Sequence, residues 1–155
     1  MKRIWIISVC VVALLGAFLL SCITDESITS VVLAQGGYDR KDYGVKMNDA
    51  GSQWFHLDFH VSPDGHIHVH ERLTNDVYYE GWCGTYSFKL SDVRDDTTLF
   101  QADSPEACVA GKGPDTHNHE RTEYAEWDTN MDPSAAQRFI AHPSEWAGKK
   151  TLRGF

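Results

Sequence analysis

QWFHLDFHVSPDGHIHVHERL, residues Gln53 to Leu73, decides the fold. Phe55, Leu57, Phe59 and Val61 alternate with His56, Asp58 and His60, the two-residue period of a strand with one buried face. His66, His68, His70 and Arg72 then alternate with Ile67, Val69 and Leu73. Ser62-Pro63-Asp64-Gly65 separates the two runs. Proline presets the first central position of a type I turn, aspartate suits the second, and glycine takes the left-handed third that makes a bulge.

The turn length sets which side chains meet. With a three-residue Pro63-Asp64-Gly65 loop, Ser62 faces His66, His60 faces His68, Asp58 faces His70 and His56 faces Arg72. All five histidines and the aspartate then share one face. A two-residue turn slips the register by one and sends the histidines of the two strands to opposite faces. The first register is preferred because it also gathers Phe55, Leu57, Phe59, Ile67 and Val69 on the core side, so turn chemistry and apolar pattern agree.

Alternate strand positions project imidazoles in one direction, and imidazole is the commonest transition-metal ligand near neutral pH. Opposed residues on paired strands sit about 4.5 to 5.5 Å apart at Cβ, which suits two rings converging on one ion. His60, His66, His68 and His70 are therefore the candidate ligands, with His56 and Asp58 in support. His117 and His119 join them if the loop that carries them folds over this face. Nitrogen donors favour Zn²⁺, Cu²⁺ or Ni²⁺ over Ca²⁺ or Mg²⁺. The competing reading is a solvated sheet face, with Asp58, Glu71 and Arg72 as ordinary charged company. Trp54 shares the histidine parity and marks a rim or a partial cover.

Outward from the hairpin, Tyr43 to Met47 reads as a short first strand, Val77 to Leu90 as a third strand bulged at Gly81 and Gly84, and Thr97 to Ala102 as a fourth. Asp103 to His119 reads as a long loop, and Arg121 to Asp128 as another strand. A helix starts at Asp132, with Pro133 at its first position, and stops at Pro143. Ser144 to Ala147 suits one further turn, and Thr151 to Phe155 a last strand. The expected fold is mainly β: a small antiparallel barrel or sandwich with one short C-terminal helix.

The chain begins with Lys2 and Arg3, then an apolar run from Ile4 to Leu20. That is the form of an export signal. Leu19-Leu20-Ser21-Cys22 resembles the lipobox of bacterial lipoproteins. The resemblance implies removal of residues 1–21 and lipid attachment at Cys22. Ile23 to Gly37 shows no sustained period and ends in Gln35-Gly36-Gly37, so residues 22–37 read as a tether, and the remaining length supports a single β-rich domain over 38–155. The resemblance also implies an extracytoplasmic, membrane-anchored location, at the outer membrane in a Gram-negative cell. An uncleaved anchor is the rival reading of the same run. Residues 1–21 hold Lys2, Arg3 and no acid, so the formal charge of the exported part is −10 rather than −8. Such acidity opposes nucleic-acid binding. In an oxidising compartment Cys83 and Cys108 are expected to form a disulfide, worth about 3 kcal/mol on the chain-entropy estimate.

His66 to His70 is similar to the HxH pair of cupins, but Glu71 follows it too closely and no second motif is present. No nucleophile elbow or HExxH occurs, so catalysis is less expected than binding. Three functions remain open: transition-metal binding by an anchored domain, a metal-free scaffold or inhibitor that engages an envelope or secreted protein, and a metal-dependent enzyme.

Overall fold

The computed structural model describes residues 36–117 and 119–155. The export signal, Cys22 and all of the tether before residue 36 lie outside these residues. The alternating run becomes β2 (Gln53–Val61) and β3 (His66–Asn75), antiparallel, with odd-numbered positions buried along both strands. His60 stands opposite His68, Asp58 opposite His70 and His56 opposite Arg72. The three-residue turn sets this register. Gly65 has φ +94°, its N–H donates to Ser62 O, and Ser62 N–H donates to His66 O. The backbone there has no room for a side chain, because a Cβ on Gly65 would stand 2.2 Å from Met131 O.

Two antiparallel sheets enclose the core. The first is ordered β1 (Tyr38–Lys46), β2, β3, β7 (Arg121–Asn130). In the second, β4 (Trp82–Asp92) is central. β8 (Pro143–Gly154) pairs along its whole length, and β5 (Thr98–Asp103) and β6 (Ala107–Val109) divide the other edge. The sheets stay separate, so the sandwich is the form adopted and not the closed barrel. Phe55 packs edge-on against Trp82 and Tyr86, with centroids 5.3 and 5.1 Å apart, and Phe59 against Phe88 at 4.9 Å. Each such buried ring contributes on the order of 1.5 to 3 kcal/mol relative to exposure.

Helix α1 (Pro133–Ala141) closes one end. Asp132 caps it, accepting from the N–H groups of Ser134 and Ala135 at 2.8 and 3.2 Å. Phe139 and Ala136 enter the core, and Phe139 meets the Tyr38 ring at 5.0 Å. Arg138 reaches back to the buried Asp92 at the end of β4, which also takes the Arg94 guanidinium. Two arginines on one carboxylate hold Asp92 far below the usual carboxylate range, with Arg94 the larger cause. No helix among the described residues is long and apolar enough to cross a membrane.

The structure differs from the sequence expectations at five places. The first strand spans Tyr38–Lys46 and not Tyr43–Met47, because it continues through a bulge between Arg40 and Tyr43 to pair with the far end of β2. Residues 144–147 are not a helical turn, since β8 runs continuously from Pro143 to Gly154. Pro143 suits the first position of an edge strand, where no ladder donor is required. The third strand begins at Trp82 and not at Val77, because Tyr79 adopts φ +57° and breaks the extended chain. The long loop of 103–119 contains β6 and a single 3-10 turn at Pro114–Thr116. Glu71 is not on the solvated face. Its odd number places it with Ile67, Val69 and Leu73, and it is 1% exposed.

Cys83 and Cys108 are directly opposed on β4 and β6 and form the expected disulfide. Between the sheets, Glu71 Oε1 accepts from Tyr86 Oη at 2.7 Å and from Trp127 Nε1 at 2.6 Å. Burial pushes the Glu71 carboxyl above its ordinary value, and these two donors only partly offset that.

Candidate metal centre

The outward face of β2 and β3 carries His56, Asp58, His60, His66, His68, His70 and Arg72 side by side. The flanking strands add the charges that complete it. On one side β1 contains a bulge between Arg40 and Tyr43. Asp42, within it, has φ +53°, the left-handed region that aspartate tolerates better than most residues. The bulge turns Asp42 onto the histidine face, a recognised use of such irregularities. Its N–H donates to Asp58 Oδ1 at 2.8 Å, and its carboxylate receives His56 Nδ1 at 2.9 Å and Arg72 Nη2 at 3.4 Å. Asp39, earlier on β1, receives His60 Nδ1 at 3.0 Å.

On the other flank, β7 pairs Asp128 with His68 and Glu126 with His70 in register. Asp128 Oδ1 lies 2.8 Å from His68 Nδ1 and 3.3 Å from His66 Nε2, and Glu126 Oε1 lies 3.8 Å from His70 Nε2. Every one of the five rings therefore has a carboxylate partner. Asp58 pairs with Lys41 at 3.5 Å. The Asp42 N–H, and then Lys41, hold its carboxyl below the usual range, so it is an anion across the physiological interval.

This pairing has a chemical consequence. An ionised carboxylate only accepts, so the ring nitrogen facing it carries the hydrogen. For His56, His60 and His68 that nitrogen is Nδ1, which leaves the Nε2 lone pair of the neutral ring available. Carboxylates in this position are the usual orienting partners of metal-binding imidazoles. His60, His68, His70, Asp39, Asp58, Lys41 and Phe59 surround a shallow hollow of about 350 Å³. A smaller one of about 200 Å³ adjoins it across Asp58 and His70, walled by Asp42, His56, Arg72 and Tyr124.

The rings do not stand in a ready-made coordination shell. His60 lies over Gly37 and bonds Asp39, both on the β1 side, whereas His68 leans to Asp128 on the β7 side. Among the described residues only Cys83, Glu106 and Cys108 bring three potential ligand atoms within 4.8 Å of one another, and those two sulfurs are joined in the disulfide. His117 and His119 are not brought to the face. They precede Arg121, which pairs with Asn75, the end of β3 remote from the histidines. Five residues of strand separate Asn75 from His70, about 17 Å at the usual rise. The loop over 110–117 folds instead against the backbone of Val77 and Tyr79. Trp54 is a rim residue: its ring covers Gly44, and Nε1 donates to Gly51 O at 2.9 Å.

Sequence reasoning missed Asp39, Lys41, Asp42, Glu126 and Asp128. The alternation of Tyr124, Glu126 and Asp128 in a strand is visible in the sequence, but its pairing with β3 is not. The β1 bulge leaves no sequence signal beyond the Lys41-Asp42 interruption itself. No protein-family model, curated protein or solved structure matches this chain.

Proposed function

We propose that the histidine face binds a divalent transition-metal ion, Zn²⁺, Cu²⁺ or Ni²⁺, through His60, His68 and His70, with His66 and His56 as neighbouring donors and Asp58 as an anionic ligand or orienting group. The observation that carries this reading is the hollow over β1, β2 and β3. It is lined by three imidazoles, two carboxylates, Phe59 and Lys41, whose ammonium an incoming ion would displace from Asp58, and His60 and His68 are each tied through Nδ1 to an aspartate. The side chains of His60, His68 and His70 are 39–43% exposed, so they can turn toward a shared ion without disturbing the core. Binding then takes the form of ring rotation from carboxylate-paired positions, and not entry into a rigid cage. Protons compete for the same nitrogens, so affinity falls as pH drops through the histidine range. The lipid attachment at Cys22 and the extracytoplasmic location belong to this reading through the N-terminal sequence alone.

Titration of the domain with Zn²⁺, Cu²⁺ and Ni²⁺ at pH 7.5 tests the proposal. The expected dissociation constant for at least one ion is about 1 µM or tighter, near −8 kcal/mol. Joint replacement of His60 and His68 by alanine should weaken it at least tenfold. If no ion of the three binds in that range, the reading is wrong.

A second reading has an observation in its favour. Because every histidine of this face already has a carboxylate partner and no three of its donors converge, the face also suits a metal-free scaffold or inhibitor that docks an envelope or secreted protein. That reading predicts the same partner binding for the His60/His68 double variant with or without a chelator. A metal-dependent enzyme would need, besides the ion, an open coordination position beside a substrate pocket.

A further inference from the structure

At the opposite end of the first sheet from the histidines, Asp76 to Gly81 forms a loop whose tyrosines face solvent. Tyr79 is 78% exposed and Tyr78 48%, and their ring centroids lie 5.9 Å apart with planes tilted 46°. Five residues of strand separate His70, the nearest of the three proposed ligands, from Asn75, about 17 Å, and no residue of the loop lines the metal hollow.

The loop is fixed and not slack. Asn75, fully buried, donates through its amide nitrogen to Glu80 O at 2.8 Å and Ala110 O at 3.1 Å, and its Oδ1 accepts from Val77 N–H at 3.0 Å. Lys112 N–H donates to Val77 O and Tyr79 N–H to Lys112 O, at 2.9 and 3.0 Å. Gly111 packs so closely that a Cβ there would stand 2.5 Å from Glu80 N. Within this frame Tyr79 is held at φ +57°, a conformation that glycine or asparagine adopts at less cost than an aromatic residue. Stability does not account for a tyrosine here: its backbone is strained and its ring is exposed. Strained residues held by so many backbone hydrogen bonds cluster at ligand-binding sites.

The surroundings narrow the ligand. Lys112 Nζ sits 4.5 Å from the centre of the Tyr78 ring and 2.5 Å from Asp76 Oδ1, so a balanced ion pair adjoins the Tyr78 side of the aromatic pair. The two exposed tyrosines, even with the exposed Phe155 ring beside Gly81, fall well short of the roughly 800 Å² per partner that a stable protein interface uses. The chain's net charge of −8 disfavours polyanions. A neutral ligand with apolar ring faces and many hydroxyls matches: its C–H groups stack on the tyrosines, and its hydroxyls donate to the half-exposed Asp76 carboxylate, which the largely buried Lys112 holds in place. We infer that Tyr78 and Tyr79 form a binding platform for a neutral carbohydrate chain.

The test measures binding of the domain to hexasaccharides of β-1,4-linked glucose, β-1,4-linked N-acetylglucosamine and α-1,4-linked glucose. At least one is expected to bind with millimolar affinity or better, and Tyr79→Ala to weaken that binding at least tenfold. Tyr79→Asn should weaken it equally while keeping the left-handed backbone and an undiminished melting temperature, which separates loss of the ring from loss of the fold. Replacing His60 and His68 should leave sugar binding unchanged. Absence of binding to all three probes, or binding indifferent to Tyr79→Asn, overturns the inference. So does Tyr79-dependent retention on phosphatidylcholine vesicles with no sugar bound, which would assign the pair to a lipid surface.

Discussion

Replacing Glu71 by glutamine should change the pH dependence of stability in a defined direction. Glu71 lies in the core between the sheets, 1% exposed, accepting from Tyr86 Oη and Trp127 Nε1 on one oxygen. Burial raises its folded-state pKa above the ordinary glutamate value of 4.5. Between that value and the raised one, the folded protein holds a proton that the unfolded chain has released. Stability therefore falls as pH rises through this window, at up to about 1.4 kcal/mol per pH unit, and levels off above the folded pKa. Glutamine keeps an oxygen in place for both donors but carries no charge, so this slope disappears. Its amide hydrogens bring a cost of about 1 to 3 kcal/mol if unpaired, but that offset does not depend on pH. Urea unfolding of both proteins at half-unit steps from pH 4 to 8 isolates the effect. In the difference between the two curves, contributions from the histidines and the surface acids cancel. The wild-type protein should lose ground to Glu71→Gln as pH climbs from about 4.5. A flat difference, or one that moves the other way, would show that the buried carboxylate is not destabilised by its surroundings.

Gly65→Ala should be strongly destabilising, by about 3 kcal/mol or more, since the new Cβ would collide with Met131 O at a left-handed backbone position. Thermal melting checks this, and any metal affinity should drop with it because the turn fixes the histidine register. Asp92→Asn leaves Arg94 and Arg138 without their shared anion. Its melting temperature should be lower at pH 7. Because the Asp92 pKa is depressed in the folded state, the wild-type advantage exists above the ordinary carboxylate value and is lost as pH falls below it. Melting curves at pH 7 and at successively more acidic values should show the gap closing, and a gap that widens in acid would count against the ion-pair account.

Much of the fold was legible because its hairpin satisfies three local rules together. Phe55, Leu57 and Phe59 set the period, Pro63-Asp64-Gly65 sets the turn, and the two demand the same register. Asp132 followed by Pro133 marked the helix start for an equally local reason. β8 was harder to read. It is an edge strand in which Ala147 and Gly148 dilute the apolar alternation, and its outer side is solvated at Lys149 and Lys150. Its strand character depends on lying along the whole of β4.

The candidate site divides along the same line. That five imidazoles and Asp58 share one side of a sheet is the register that the sequence favours over that of a two-residue turn, because strand parity and turn chemistry are properties of neighbouring residues, and the observed pairing is that register. Which acids meet them does not, since Asp39 and Asp42 arrive through a bulged strand and Glu126 and Asp128 from more than fifty residues away. Tertiary structure likewise moved His117 and His119 to the remote end and placed Glu71 between Tyr86 and Trp127. Local chemistry fixes the direction in which a side chain leaves its own strand. Only the packing of distant strands decides what it meets there, and hence whether a ring is free, paired or able to turn toward an ion.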